Sequence, residues 1–350
     1  MSDELEPRGW KAIDAALATI YGDQQPKHWG TIIPAFLGGN DPLRGISAYR
    51  ATFGGTPHWH FVTYGFSELY EKESDDPEVS GWGFEMTVRV VDTEAGDEPP
   101  VWVCSLLQNL ARYVFKTGNV FEPRHSTTLN GPIVLERKTA LVAALFANDP
   151  QLAPIVTPNG RVEFVQLMGI TEDEYAAIGD WDTEKLTALF ATKTPALLTE
   201  TQRASYLADP QIASAVGTGS ERDGSSKGLQ FAFQTKIEIP FFRRSFVFVI
   251  GANELSGIQQ LVRGRLRFSR EATIVSKERA VVQLRAGAKS DTSKNDDETT
   301  LTLSSEDQAA ILKVPPKRGE YPLPSGAGLV RIVPTEIWNG ERTRVERVVG

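Results

Sequence analysis

The chain has 350 residues, of which 41% are apolar and 23% are charged, proportions typical of a soluble globular protein. This length exceeds that of a typical single core and predicts two domains. The net charge of −8 disfavours nonspecific binding to nucleic acid or to anionic membranes, because both would repel the chain. The single cysteine, Cys104, excludes an intramolecular disulfide and a zinc site built of several thiolates.

The amino terminus, "MSDELEPRGW", is acidic and polar, so we expect no signal peptide. The sequence also lacks an apolar run of about 18 residues, the length that a membrane-spanning helix needs. We therefore expect a cytoplasmic protein that does not bind membranes.

The first part of the chain predicts helices and strands in alternation. Ile13, Leu17 and Tyr21 recur at helical spacing, and "VCSLLQNLARYV" and "KTALVAALF" predict two further helices. The segment "GFEMTVRVV" alternates apolar and polar residues, which predicts a strand with one buried face. "RVEFVQLMGI" predicts a central strand that is covered on both faces. Residues 1–220 are therefore predicted to form an α/β domain with a mixed sheet flanked by helices.

Beyond Gly217 the pattern changes. "GTGSERDGSSKG" predicts a linker, and "SKNDDET" predicts a mobile loop. "SSEDQAAILK" predicts a helix capped by Ser304 or Ser305. The remaining predicted elements are strands, in "LQFAFQTKIEI", "FVFVIGA", "LVRGRLRF", "AVVQLRAGA" and "LVRIVP". Residues 221–350 are therefore predicted to form a smaller, strand-rich α+β domain.

Two histidines in "HWHFVTYGF" raise the question of a metal or catalytic site. On a strand, His58 and His60 point to the same face. We favour hydrogen-bonded residues of a sheet, because no third ligand lies close in the sequence. The alternative is a metal-dependent hydrolase centred on His58, His60 and Glu68.

The alternation in "LVRGRLRF" would place Arg263, Arg265 and Arg267 on one face of a strand. That face is either solvated and ion-paired, or a docking ridge for the carboxylates of a partner. No Ser-His-Asp order, HExxH or other metal motif is present. The residues alone thus predict a protein with surfaces and without an obvious reactive centre, and we expect no cofactor or metal.

Several stretches, in this order along the chain, resemble the Suppressor of fused family. They are "YGDQQP", "LGGNDPLRGISAYR", "HWHFVTYGFSELY", "SGWGFEMTVRV", "LLQNLARYVFKTGNVF", "VEFVQLMGIT", "ERDGSSKG" and "VRGRL". The resemblance implies two domains and protein binding in place of catalysis. Animal members restrain Gli-type transcription factors, and bacterial members are thought to be immunity proteins that neutralise toxins. In the family, a partner peptide adds as a strand in the cleft between the domains.

The resemblance also implies which residues meet the partner. Tyr113 matches the tyrosine that faces the peptide, and Phe121 matches an aromatic residue behind it. "GLQFAF" matches the strand that pairs with the peptide, so Leu229 and Phe231 would flank the added strand. We expect a monomer whose partner is a protein or peptide, possibly a toxin domain, and not a nucleic acid.

Other positions depart from the family pattern. Arg124 or His125 stands where animal members carry an acidic residue, and Gln260 replaces an apolar contact residue. Arg263 and Arg265 of "VRGRL" lie a few residues after Gln260, and we include them in the predicted partner site.

These departures predict weak binding of a Gli-type peptide. A cation in place of a carboxylate at a buried contact costs about 2–5 kcal/mol. That cost corresponds to about two to four decades of affinity. Calorimetric titration with a Gli-type peptide is expected to show weak binding or none, and a submicromolar dissociation constant would contradict this expectation.

Overall fold

The computed structural model describes residues 7–31, 39–91, 97–135, 137–239, 245–276, 281–295, 298–338 and 344–350. The chain divides into two compact units. Unit 1 comprises Met1–Tyr175 and Thr187–Ile212, and unit 2 comprises Ala176–Leu186 and Ala213–Gly350. The predicted fold class, an α/β part followed by a strand-rich α+β part, is confirmed. The described helices include none whose apolar stretch is long enough to cross a bilayer.

A mixed sheet organises unit 1. Its strands are β1 (Lys27–Gly30), β2 (Gly45–Phe53), β3 (Thr56–Tyr64), β4 (Val79–Val91), β5 (Ser126–Thr128), β6 (Leu141–Asn148), β7 (Ile155–Thr157), β8 (Gly160–Thr171) and β9 (Thr199–Glu200). The spatial order is β1-β2-β3-β4-β8-β6-β5, with β7 beside β8 and β9 beside β4. Strand β4 pairs in parallel with β8 and β9, and the other pairs are antiparallel. Strands β5 and β1 therefore form the two edges of this path.

Two helices cover the sheet of unit 1. They are α1 (Arg8–Tyr21) and α2 (Trp102–Thr117), both close to their predicted bounds. Helix α1 buries Ile13 and Leu17 against strand residues such as Val62. Helix α2 ends at Gly118, whose positive φ of 75° and amide bond to Val114 O close the helix. The chain crosses between the units within three further helices: α3 (Glu172–Asp180), α4 (Thr183–Ala191) and α5 (Pro210–Asp223).

Unit 2 contains two further sheets and a hairpin. Its strands are β10 (Leu229–Phe231), β11 (Lys236–Glu238), β12 (Phe246–Gly251), β13 (Ala272–Val275), β14 (Val281–Ala286), β15 (Asp291–Asn295), β16 (Glu298–Leu303), β17 (Gly319–Pro322), β18 (Gly328–Val333), β19 (Thr335–Trp338) and β20 (Val345–Val349). The orders are β10-β13-β14-β16-β15, β11-β12-β18-β17 and β19-β20. Helices α6 (Leu255–Gly264) and α7 (Ser305–Ile311) complete the unit. Ser304 caps α7 by accepting a bond from Asp307 N, as one of the two predicted caps.

Two of the predicted elements have the wrong secondary structure. "KTALVAALF" was predicted as a helix but forms β6, because β8 and β5 flank it and its alternating residues are buried on both faces. "LVRGRLRF" was predicted as a strand but forms the end of α6 and a turn of 3₁₀ helix at Leu266–Phe268. Leu255, Ile258, Leu261 and Val262 make the helical apolar stripe that decides this.

Two segments predicted to lack regular structure are in fact ordered elements. Residues 217–223 continue α5, which starts with Pro210 at its first position and buries Ile212 and Val216. The predicted boundary at residue 220 thus lies inside this helix. In "SKNDDET", residues 293–295 and 298–299 pair as β15 and β16, whereas residues 296–297 lie outside the described part of the chain.

Strand β4 is buried on both faces, not on one face as predicted. Its polar residues Glu85, Thr87 and Arg89 are all 0% exposed. Glu85 accepts hydrogen bonds from Gly65 N, at 2.9 Å, and from both the amide and the hydroxyl of Ser67. It also accepts a 2.6 Å bond from the hydroxyl of Thr63. Burial raises the pKa of Glu85 to about 7, although these bonds lower it.

Arg89 at the far end of β4 makes a buried ion pair. Its Nη1 and Nη2 donate to the two carboxylate oxygens of Asp149, at 2.6 and 3.0 Å. Arg89 also donates to Gln166 and Gln151, and Thr87 donates to Asp149. Burial alone would raise the pKa of Asp149, but His60 and Arg89 hold this pKa well below its usual range.

The change Asp149→Asn is expected to lower the free energy of unfolding of unit 1 by about 3–5 kcal/mol, because it leaves a buried guanidinium without its counter-charge. Urea denaturation followed by tryptophan fluorescence measures this, since five of the seven tryptophans lie in unit 1. Asp97→Asn is the matched control, because it breaks an exposed pair with Arg50. That control should cost at most about 1 kcal/mol. Equal losses in the two variants would contradict the assignment.

Candidate functional site

Strand β10 is an edge strand of unit 2 with one side unpaired among the described residues. It runs parallel to β13, and Thr273 N donates to Gly228 O while Ala232 N donates to Val275 O. Backbone groups of successive strand residues point alternately to the two sides. The backbone groups of Leu229 and Phe231 therefore point away from β13, toward the free edge.

The side chains beside this free edge are apolar and exposed. Leu229 and Phe231 lie two residues apart on one face of β10 and are 44% and 50% exposed. Phe233, just after the strand, is also exposed. Of the outward backbone groups, Phe231 O accepts a 3.0 Å bond from the Gln230 side chain. An added strand would have to displace this bond from the side chain to pair with the whole edge.

Unit 1 has a comparable edge strand in β5. This strand pairs only with β6 among the described residues, and Phe146 N donates to His125 O while Leu129 N donates to Val142 O. By the same alternation, the backbone groups of Ser126 and Thr128 point toward the free edge. The sequence contained no pattern that marks β5 as an edge, because a strand of this length has too few residues to show a period.

A groove lies beside β5 and contains Tyr113. The cavity of about 780 Å³ is lined by α2, by Glu98–Val101 and by the segment from Thr127 to Leu135. Tyr113 is 43% exposed, and Asn119 Nδ2 donates to its hydroxyl at 3.0 Å. Its ring lies 5.6 Å from the ring of Phe121, which is buried and stacks on Phe146. The structure therefore brings Tyr113 and Phe121 together, with Phe121 as the support beneath the exposed ring.

His125 lies at the start of β5 and is half-exposed. Its Nδ1 accepts a bond from Glu122 N at 3.2 Å, and its Nε2 lies 3.8 Å from the Glu122 carboxylate. The preceding Arg124 has a positive φ of 77°, and its amide donates to Phe146 O. These contacts fix the turn that leads into the free edge of β5.

Three of the predicted site residues lie on or just after α6, and all contact other parts of unit 2. Gln260 donates to Ala176 O, and Arg263 donates to the Asp180 carboxylate. Arg265 donates to the carbonyls of Ser225, Ser226 and Glu271. The predicted placement of Arg263, Arg265 and Arg267 on one face of a strand is therefore wrong, because the segment is helical. Whether these residues also contact a partner stays a prediction.

The two histidines of β3 are buried and bonded within unit 1. His60 Nδ1 lies 2.7 Å from the Tyr21 hydroxyl, and its Nε2 lies 3.2 Å from Asp149. His58 Nδ1 lies 3.0 Å from Thr56 O. The Glu68 carboxylate instead binds Lys72 and the amides of Glu73 and Ser74.

The described parts of the chain contain no group of three or more His, Cys, Asp or Glu residues that could hold a metal ion. His58, His60 and Glu68 therefore do not form the centre that the hydrolase alternative needs. Burial raises the pKa of the Cys104 thiol to about 11, which disfavours the thiolate that a nucleophile requires.

Comparison with known proteins identifies the family. Residues 39–204 match the family model described as "Suppressor of fused protein (SUFU)". The human and mouse proteins named Suppressor of fused homolog are each 33% identical over 238 residues, which is 62% of this chain and 48% of theirs. A chain of the Sufu-Fu complex crystal structure is 30% identical, with a TM-score of 0.56 over 60% of this chain and 97% of that one. The chain belongs to the Suppressor of fused family.

The Suppressor of fused fold extends over both units. The crystal structure of Drosophila Suppressor of Fused matches with a TM-score of 0.77 and 21% identity, covering 93% of this chain and 97% of that one. This protein nevertheless spans only 48% of the human and mouse relatives. The matched family model includes Tyr113, Phe121 and His125 but ends before β10.

Among the buried groups of this family member, His60 makes the free energy of unfolding depend on pH. Burial, reinforced by the charge of Arg89, lowers the pKa of His60 from 6.5 to about 4. The unfolded chain therefore takes up this proton first as the pH falls, and stability is lost between these values. The loss in the free energy of unfolding attributable to His60 is roughly 3 kcal/mol. Asp149 raises the pKa of His60 and offsets only part of the lowering.

We expect His60→Gln to flatten the decline in the free energy of unfolding between about pH 6.5 and 4, because glutamine keeps the hydrogen bonds and does not titrate. Urea denaturation at several pH values measures the slope. His125→Gln, at a half-exposed histidine outside this network, should retain the wild-type slope. An unchanged slope in His60→Gln would show that other groups, such as the buried His58, cause the decline.

Proposed function

We propose that this protein is a non-enzymatic binding protein that takes an extended segment of a partner protein onto the free edge of β10. The observation that carries the proposal is the orientation of β10. Leu229 and Phe231 direct their backbone groups to an edge that pairs with no strand of the described chain, and their exposed side chains lie beside it. A segment added there gains backbone hydrogen bonds for affinity and apolar contacts for specificity.

The free edge of β5 supports the same function in unit 1. Ser126 and Thr128 offer backbone groups, and the adjoining groove offers the exposed ring of Tyr113. Tyrosine is well suited to such a contact, because its ring is rigid and amphipathic. A long exposed edge promotes aggregation, and both strands are short, which limits this risk.

The family relationship supports protein binding, since one matched chain was solved in the Sufu-Fu complex. A toxin-neutralising role in the cytoplasm stays a prediction, and the net charge of −8 suits a basic partner. An adjacent gene for a large secreted protein with a toxin-like carboxyl-terminal domain would support it. A scaffold that binds many different peptides is the alternative, and its binding would be promiscuous.

The binding proposal is tested by affinity capture from the source organism, with each captured protein quantified by mass spectrometry. We expect Phe231→Asp to reduce capture of the partner by at least about tenfold, because it places a charge beside the added strand. Leu229→Pro should act similarly, because it removes an amide donor that points outward and leaves the β13 ladder intact. Tyr113→Arg tests whether the unit 1 groove contacts the same partner.

Two variants control for the loss of exposed apolar surface. Val348→Asp changes a residue of unit 2 that is 56% exposed, and Val156→Arg changes a residue of unit 1 that is 85% exposed. Both should capture the partner at the wild-type level, and circular dichroism checks that each variant is folded. Equal capture by wild type, Phe231→Asp and Leu229→Pro would refute strand addition at β10.

A further inference from the structure

A second pocket in unit 1 has aromatic walls. It has a volume of about 590 Å³ and is lined by Tyr70, Trp82 and Phe115, among other residues. The rings of Trp82 and Phe115 meet edge to face, with their centroids 5.6 Å apart. Tyr70 and Phe115, which both line this pocket, are 38% and 42% exposed.

The local backbone explains why these rings line a pocket. Trp82 N donates to Phe66 O at 2.9 Å, and Gly81 before it has a positive φ of 55°. A Cβ at Gly81 would lie 2.7 Å from Phe66 O, so only glycine permits this close approach. Phe115 lies two residues after Tyr113 in α2, about 200° around the helix. It therefore faces this pocket and not the groove beside β5.

The rim of the pocket is acidic. Glu71 and Glu73 line it, and their carboxylates have no ion pair or hydrogen bond within the described chain. Glu68 also lines the pocket but is neutralised by Lys72 at 3.0 Å. Arg44 is a cation in the lining, and it is engaged in an interaction of its own.

This combination selects a cationic occupant. An anion would be repelled, and an apolar side chain would desolvate the carboxylates without compensation. A cation gains both from the faces of the aromatic rings and from the carboxylates. Arginine fits better than lysine, because its planar guanidinium stacks on rings and pairs with carboxylates through two parallel hydrogen bonds.

We propose that the pocket formed by Tyr70, Trp82, Phe115, Glu71 and Glu73 binds an arginine side chain from a basic segment of a partner protein. None of the residues that line the pocket belongs to β5 or β10. The proposal therefore holds or fails independently of strand addition.

The test is an NMR titration of the full chain with the blocked peptide acetyl-Gly-Arg-Gly-Arg-Gly-amide. The indole N–H of Trp82, assigned with Trp82→Phe, is the reporter. We expect a saturable shift of this signal, and about tenfold weaker binding when citrulline, the neutral isostere, replaces arginine. No saturable shift, or equal binding of the two peptides, would overturn the proposal.

Matched variants distinguish binding of arginine in this pocket from general electrostatic attraction to the acidic loop. The double change Glu71→Gln/Glu73→Gln should weaken binding by at least about fivefold, because it removes the rim charges. Asp75→Asn/Glu78→Gln removes the same charge from the same loop outside the pocket, and should change binding by less than about twofold. Phe115→Leu should also weaken binding, because it keeps an apolar wall but removes the ring. Equal weakening by the two double variants would show that binding depends only on the overall charge of the loop, and this result would overturn the proposal.

Discussion

The burial of β4 on both faces is the constraint on which much of unit 1 depends. Its apolar face packs in the core, so Glu85 and Arg89 on the other face must find partners inside the protein. Glu85 fixes the turn after β3 through Gly65 and Ser67. Arg89 binds Asp149, which in turn accepts the amides of Gln151 and Leu152 and holds His60. A single strand thereby organises its neighbours on both sides.

The two edge strands differ from β4 in whether their polar groups have partners within the protein. The interior carboxylates Glu85 and Asp149 are paired, whereas β10 and β5 each leave backbone groups of one side without a neighbouring strand among the described residues. The exposed Leu229, Phe231 and Tyr113 lie beside these edges. Among the described residues, the two buried histidines of β3 bond to Tyr21, Asp149 and Thr56 and do not converge with other reactive groups. These observations support the proposal that the protein acts through a surface that pairs with a partner.

The sequence predicted the elements whose own pattern decides their structure. Helices α1 and α2 show strong periodicity, strand β8 is a mostly apolar run, and Ser304 caps α7 as expected. Strand β6 was missed because alanine and leucine favour a helix, and only its neighbours in the sheet override that preference. Helix α6 was missed because the alternation of three arginines concealed the stripe of Leu255, Ile258 and Leu261.

The candidate site was predictable only in part. The resemblance to the Suppressor of fused family supplied Tyr113, Leu229 and Phe231, and the structure shows all three exposed. The free edge of β5 and the pocket at Trp82 depend on pairing and on turns between distant residues, which no local pattern encodes. The polar face of β4 was mistaken for a solvated face because alternation shows which residues differ, and not which face meets water.

Residue-resolved amide hydrogen exchange, with and without the captured partner, tests the central claim most directly. In the free chain, the amides of Leu229 and Phe231 should exchange quickly, whereas Ala232 N is protected by its bond to Val275 O. Partner binding should slow exchange at Leu229 and Phe231 and leave Ala232 unchanged. If those two amides still exchange at the free rate in the complex, strand addition at β10 is not how this protein holds its partner.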